Sequence, residues 1–144
     1  MKKDNINASI KGEVEIYALL KDGSRELLLS KDNALQVVAK RMIFQGLSGD
    51  LVNGKLSSVA LYKNSHTTLL ALATVSSWDH SVADELTMTA VLAPGYFDDT
   101  ITSLALINSA LVEFSVLTGF SVYKDLTTAI EVKWKLTFIN LNNL

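Results

Sequence analysis

Alternation of apolar and polar positions marks the start of the chain. Val14, Ile16, Ala18 and Leu20 fall on one side of an extended segment, with Glu13 and Glu15 on the other. That period of two predicts a half-buried strand over 10–20. Asp22-Gly23 follows. Glycine takes positive φ at little cost, so the pair predicts a tight turn and a return strand over 25–29. The period then lengthens. From Asn33 to Gln45 the apolar positions are Leu35, Val38, Ala39, Met42 and Ile43, while Gln36, Lys40, Arg41 and Gln45 are polar. Those spacings make one stripe of a short α-helix, expected over about 33–45. Asn33 and Gln36 have the form of a capping box, Ser30 and Asp32 are alternative caps, and Gly46 and Gly49 supply the stop.

Beyond residue 55 the pattern is that of short strands, expected over 56–62, 69–75, 85–92, 101–107, 111–117 and 130–138. In the last of these Ile130, Val132, Trp134, Leu136 and Phe138 share one face, and Glu131, Lys133, Lys135 and Thr137 the other. One apolar and one polar face is the signature of an antiparallel sheet with a single buried side. Leu56–Tyr62 also parallels Ile101–Ile107 position by position. Either a strand–turn–strand–loop–strand unit occurs twice, or apolar strands of equal length align by chance. The expected fold is mainly β: an antiparallel β-sandwich of about seven to nine strands, with the single helix after the N-terminal hairpin. The polar residues 1–9 are expected to form a flexible arm and 10–144 a single domain.

Composition narrows the function classes. The 144 residues are 49% hydrophobic and 19% charged, which suits a folded domain rather than a disordered one. No apolar stretch approaches the ~18 residues of a membrane-spanning helix, so no membrane association is expected. Lys2-Lys3 is not followed by the apolar run of a secretory signal. Thirteen basic residues against fifteen acidic ones give a net charge of −2, which argues against nucleic acid as a partner. Cysteine is absent, which removes thiolate ligands, disulfides and cysteine nucleophiles. Leucine occurs 23 times and mean hydropathy is +0.26. That apolar load exceeds what one small core hides, so subunit contact is its expected destination and a homo-oligomer the expected state. The N-terminal arm could also add to a neighbour's sheet edge.

Catalytic templates find little purchase. The two histidines, His66 and His80, both fall in expected turns. Asp79-His80 with Asp84-Glu85 lacks the regular ligand spacing of a calcium loop. A Ser-His-acid triad is defined by geometry, so sequence leaves it open, but there is no Gly-x-Ser-x-Gly elbow. No phosphate-binding glycine loop is present either. Asp98-Asp99 solvates a loop tip more readily than it forms a glycosidase pair. Lys40-Arg41 reads as a wet helix face. No catalytic, cofactor-binding or metal-binding residue is therefore expected, and the chain is read as non-enzymatic. Trp78 and Tyr96-Phe97 fall in expected loops, where aromatics anchor interfaces, and are the candidate partner-binding residues.

Several of these segments together resemble a family. Gly12-Glu13-Val14-Glu15-Ile16, the Asp22-Gly23 turn, Lys31-Asp32-Asn33 entering a helix, Leu56-Ser57-Ser58-Val59-Ala60-Leu61, and Glu131-Val132-Lys133-Trp134-Lys135-Leu136-Thr137-Phe138 occur in that order. The arrangement is similar to small β-sandwich virion proteins of tailed bacteriophages, found in the tail, baseplate, fibre, neck or capsid. The resemblance spans about residues 10–140. It implies a structural protein located in the virion, with other virion proteins or copies of itself as partners and no catalytic residues. The alternative expectation is a carbohydrate- or receptor-binding module, with Trp78, Tyr96 and Phe97 stacking on a glycan at one end of the sandwich.

Overall fold

The computed structural model describes residues 8–36 and 38–140. Ten strands and two short helices follow one another: β1 (Ala8–Leu19), β2 (Arg25–Leu35), α1 (Ala39–Leu47), α2 (Leu51–Gly54), β3 (Leu56–Lys63), β4 (Thr68–Asp79), β5 (Glu85–Leu92), β6 (Asp99–Ile101), β7 (Ser103–Asn108), β8 (Glu113–Leu117), β9 (Val122–Lys124) and β10 (Ala129–Asn140). The architecture is mainly β and antiparallel, with a helix after the first hairpin, as the periodicity predicts; a second short helix, α2, follows it. The eight strands expected from sequence form one sheet, in the order β1-β10-β5-β4-β3-β7-β8-β2 and back to β1. β6 and β9 make a separate two-stranded ribbon.

The sandwich-like sheet closes because two long strands turn its corners. β4 pairs with β3 from Thr68 to Thr74, then with β5 from Val75 to Asp79. β2 pairs with β1 as far as Asn33, then with β8 through Ala34 and Leu35. An eight-stranded barrel has an interior just wide enough to be filled by side chains. Here the filling comes from alternate positions. Val14 and Ile16 of β1 stand opposite Trp134 and Val132 of β10, and all four are buried. The intervening positions carry charge: Glu13 meets Lys135 at 3.5 Å and Arg25 meets Glu131 at 2.8 Å. This side of the barrel thus has an apolar inside and an ion-paired outside. No helix among the described residues is long and apolar enough to cross a membrane.

Three expectations need correction. The helix begins at Ala39, not near Asn33, because β2 runs on to Leu35. Sheet pairing with β1 and β8 outweighs the helical stripe at Leu35, and Asn33 spends its side chain on the barrel instead of on a capping box. The arm expected over 1–9 does not include its last two residues. Ala8 and Ser9 already pair with Asn140 and Ile139; the remainder, 1–7, lies outside the described residues. Phe138, expected on the core face, is 51% exposed, because the end of β10 passes beyond the barrel filling. The suspected repeat is partial. β3 and β7 are adjacent and antiparallel, flanked by β4 and β8, so the two hairpins are related by a local twofold. The third strands, β5 and β10, do not follow it.

The β2 corner is pinned from inside. The Asn33 carboxamide lies between the Gly12 carbonyl, the buried Ser115 hydroxyl and the buried Trp134 indole. With its nitrogen donating to Gly12 O (3.1 Å), its oxygen accepts from Ser115 Oγ and from Trp134 Nε1 (3.3 Å). One side chain thereby joins β1, β2, β8 and β10. Gly12 makes room for it: a Cβ there would overlap the Asn33 carboxamide. Gly12→Ala is expected to cost about 1–3 kcal/mol through overpacking, and Asn33→Ala about 2–4 kcal/mol through buried groups left unpaired. The double variant should cost less than the two together, since removing the carboxamide removes the collision. Denaturant unfolding of the three variants checks this, and simple additivity would show that the two residues do not meet.

Candidate functional site

One end of the barrel is an open apolar hollow of about 680 Å³. Its floor is the barrel mouth: Ile10, Leu56, Leu86, Phe114 and Leu136, each at or near the end of its strand. One wall is the helical pair, through Met42, Ile43 and Leu51, and another is the loop from β4 to β5. α1 holds its place by burying Ala39 and Met42. α2 folds back on it through a contact only glycine permits, since a Cβ on Gly54 would overlap the backbone of Gly46. Asp50 caps α2 by accepting from Asn53 N–H at 3.1 Å; the bond from the Asn53 side chain, and then this one, hold its carboxyl below the usual range. His80, Asp84, Glu85 and Lys55 stand on the rim.

The candidate aromatics separate. Trp78 is not in a loop but near the end of β4, opposite Met88, because β4 continues onto β5 after leaving β3. It lines the hollow, donates its indole N–H to Leu56 O at 3.0 Å, and carries Lys55 Nζ over its ring at 4.6 Å. Tyr96 and Phe97 follow the far end of β5, beside the β6–β9 ribbon. Tyr96 is 62% exposed. Phe97 packs on the core and covers Lys124 Nζ at 5.0 Å. Burial pushes the Lys124 amine below its usual value. The three aromatics therefore make no single stacking platform.

Asp98 and Asp99 likewise go to different partners. Asp98 accepts from the Tyr123 hydroxyl, which raises the tyrosine's pKa. Asp99 accepts from Lys63 Nζ at 2.7 Å, tying the ribbon to β3. Among the described residues no three His, Asp or Glu side chains converge on a point that would hold a metal ion.

A third constellation was invisible in the sequence. His66 Nδ1 lies 2.7 Å from Ser103 Oγ and its Nε2 lies 2.5 Å from Glu113 Oε2, with the Tyr62 ring 4.0 Å away between centroids. The residue types are those of a triad, but Ser103 has no accessible surface. A nucleophile so placed does not reach a carbonyl carbon; here the chain of hydrogen bonds anchors a turn. Asn64, Ser65 and His66 have φ of 53°, 53° and 74°, a left-handed run that costs non-glycine residues about 1–2 kcal/mol each. Such strain persists where the surroundings over-determine it, and the two-sided grip on His66 does so. Only the fold brings His66 to residues 37 and 47 positions away; no local signal marks them. Burial, then the nearby Glu113 charge, raises the Tyr62 pKa.

Against known proteins, the chain matches no family model, no curated protein and no solved structure. The functional reading therefore rests on the geometry and on the resemblance carried by its own segments.

Two outcomes follow for these side chains. His66→Ala strands the buried Ser103 hydroxyl and frees the strained turn, with an expected loss of about 1–3 kcal/mol in denaturant unfolding; an unchanged midpoint would mean the turn holds itself. For Asp99, the hydrogen bond from Lys63 is the largest cause of a lowered pKa, followed by Thr100 N–H. A carboxyl with a depressed folded value contributes stability above its unfolded value, near ~4, and loses it as pH falls through the folded one. Asp99→Asn should melt earlier than the wild type at neutral pH, and the two melting profiles should converge below about pH 4. Parallel profiles down to acid pH would detach the effect from ionisation.

Proposed function

We propose that the chain is a non-enzymatic structural component of a tailed-phage virion, which assembles with copies of itself or with neighbouring virion proteins. The observation that carries this reading is where apolar surface is left. β2 and β4 exchange one neighbour for another along their length, so strand addition to the barrel is confined to the parts of these two strands that keep one edge unpaired. Large apolar side chains nevertheless stay exposed around the helical end: Phe44, Leu47, Leu51 and Val52 on the helices, Val82 and Phe138 beside the hollow. Other exposed apolar side chains are scattered over the rest of the surface, but those at the helical end border one apolar hollow, which suits docking by face.

The virion assignment draws on the resemblance. Its segments occupy β1, the first turn, β2, β3 and β10, which are among the strands that build the barrel. A glycan-binding module draws less support, since Trp78 is remote from Tyr96 and Phe97 and Phe97 is packed inward. Function in this reading is shape complementarity at a fixed place in a particle, without turnover.

Gradient-purified particles of the phage encoding the chain should contain it at a constant ratio to the major capsid protein, as read by quantitative mass spectrometry. A chain found in infected cells but missing from particles would overturn the assignment.

A further inference from the structure

We infer that the apolar face at the helical end is a homotypic interface, and that its occupant is a second copy of this chain docked about a twofold axis. The inference rests on the assembly reading above and names the partner and the face.

Area is the first argument. Phe44, Leu47, Leu51, Val52, Val82 and Phe138 are 69%, 80%, 69%, 58%, 57% and 51% exposed. At roughly 150–200 Å² for a large apolar side chain, they leave on the order of 600 Å² of apolar surface. That is at the upper end of what a monomer carries as its largest patch. Two such faces together supply about 1,200 Å², the threshold of a stable specific interface.

Shape is the second argument. The projection and the hollow lie side by side. Ile43 and Gly46 of α1 line the hollow, while Phe44 and Leu47 of the same helix stand out beside it. A twofold operation seats each copy's projection over the other's hollow, so one contact type satisfies both. A head-to-tail arrangement would crowd two different neighbours onto this one end of each copy, one on the projection and one in the hollow. The other exposed aromatics, Tyr96 and Tyr123, sit instead with Asp98 at the far ribbon.

Charge is the third argument. Lys40 is exposed on α1 one turn from Phe44 and two from Leu47, so the projecting wall is basic. The facing wall, the β4–β5 loop, places Asp84 and Glu85 on the hollow's rim. Under a twofold the basic wall of each copy meets the acidic wall of the other, which favours the pairing at both ends of the contact.

Light scattering of the full chain across concentration tests this, with circular dichroism and thermal melts confirming that each variant stays folded. The wild type is expected at twice the 15.7 kDa of the chain. Phe44→Asp with Leu47→Asp, both on exposed positions, should weaken dimerisation at least a hundredfold. Lys40→Glu and Asp84→Lys should each weaken it about tenfold. Mixing those two single variants should restore the dimer, because in the mixed pair every charge on both walls meets its opposite. A wild type that stays monomeric at the highest concentration overturns self-docking, while the particle composition decides the virion reading independently. An oligomer indifferent to Phe44→Asp with Leu47→Asp overturns this face and leaves assembly standing. An oligomer weakened by both charge variants but not restored by mixing overturns the twofold.

Discussion

Closure of the barrel depends on what happens at Asn33. There β2 stops pairing with β1 and starts pairing with β8, and a corner of that kind leaves buried polar groups facing an apolar interior. An unpaired buried amide, hydroxyl or indole N–H costs about 1–3 kcal/mol. The Asn33 carboxamide answers three of them at once, on β1, β8 and β10. The arrangement leaves no slack. Gly12 has to lack a side chain, Ser115 has to present a hydroxyl, and Trp134 has to turn its ring nitrogen to the seam. An apolar residue at position 33 would pack well and leave the corner unsatisfied, so the sheet would favour two separate layers with open edges. The β4 corner needs no such pin, because β4 is long enough to exchange β3 for β5 with a single irregularity in register between Val75 and Ser77.

Strands that bury one face were legible, because a period of two survives in the sequence whatever the neighbour, as in β1 and β10. β7, buried at every position, and β3, with three consecutive buried residues, show only as apolar runs. Pairing is not a property of one strand, so closure could not be read, nor could the way β2 and β4 change partners. The helix start was misread for a related reason. Leu35, Val38, Ala39, Met42 and Ile43 fit one helical stripe, but Leu35 belongs to the sheet and the other four to the turn and helix that follow. A stripe of five residues cannot say where pairing ends. β6 and β9, three residues each, are too short to show any period.

The candidate site divides along the same line. Trp78 was marked by its type and does line the hollow, though it gets there on a strand and not a loop. Tyr96 and Phe97 were marked by the same reasoning and lie away from it, because sequence proximity to a turn says nothing about which end of a barrel the turn occupies. His66, Ser103 and Glu113 carried no signal. They come from one turn and two strands, and they meet because that turn folds back over the outer face of β7. Their chemistry follows from burial more than from identity: the same three residue types with an exposed serine would invite a reading as a hydrolase.

Closing the sheet also decides how the protein can touch others. An open sandwich offers strand edges, whose backbone groups bind almost any extended chain and carry an aggregation risk. The barrel narrows that route to parts of β2 and β4 and leaves most recognition to side chains, where shape and charge discriminate. The helices are what make such a face. They are inserted between β2 and β3, at the end where the mouth would otherwise be open. The Gly46–Gly54 contact folds them tightly together. α1 buries Ala39 and Met42, and among the described residues no layer lies behind it over Phe44 and Leu47. A two-turn helix gains little from propensity alone, so keeping large apolar residues on its outer side stabilises nothing in the isolated chain. In the proposed dimer the second copy covers them.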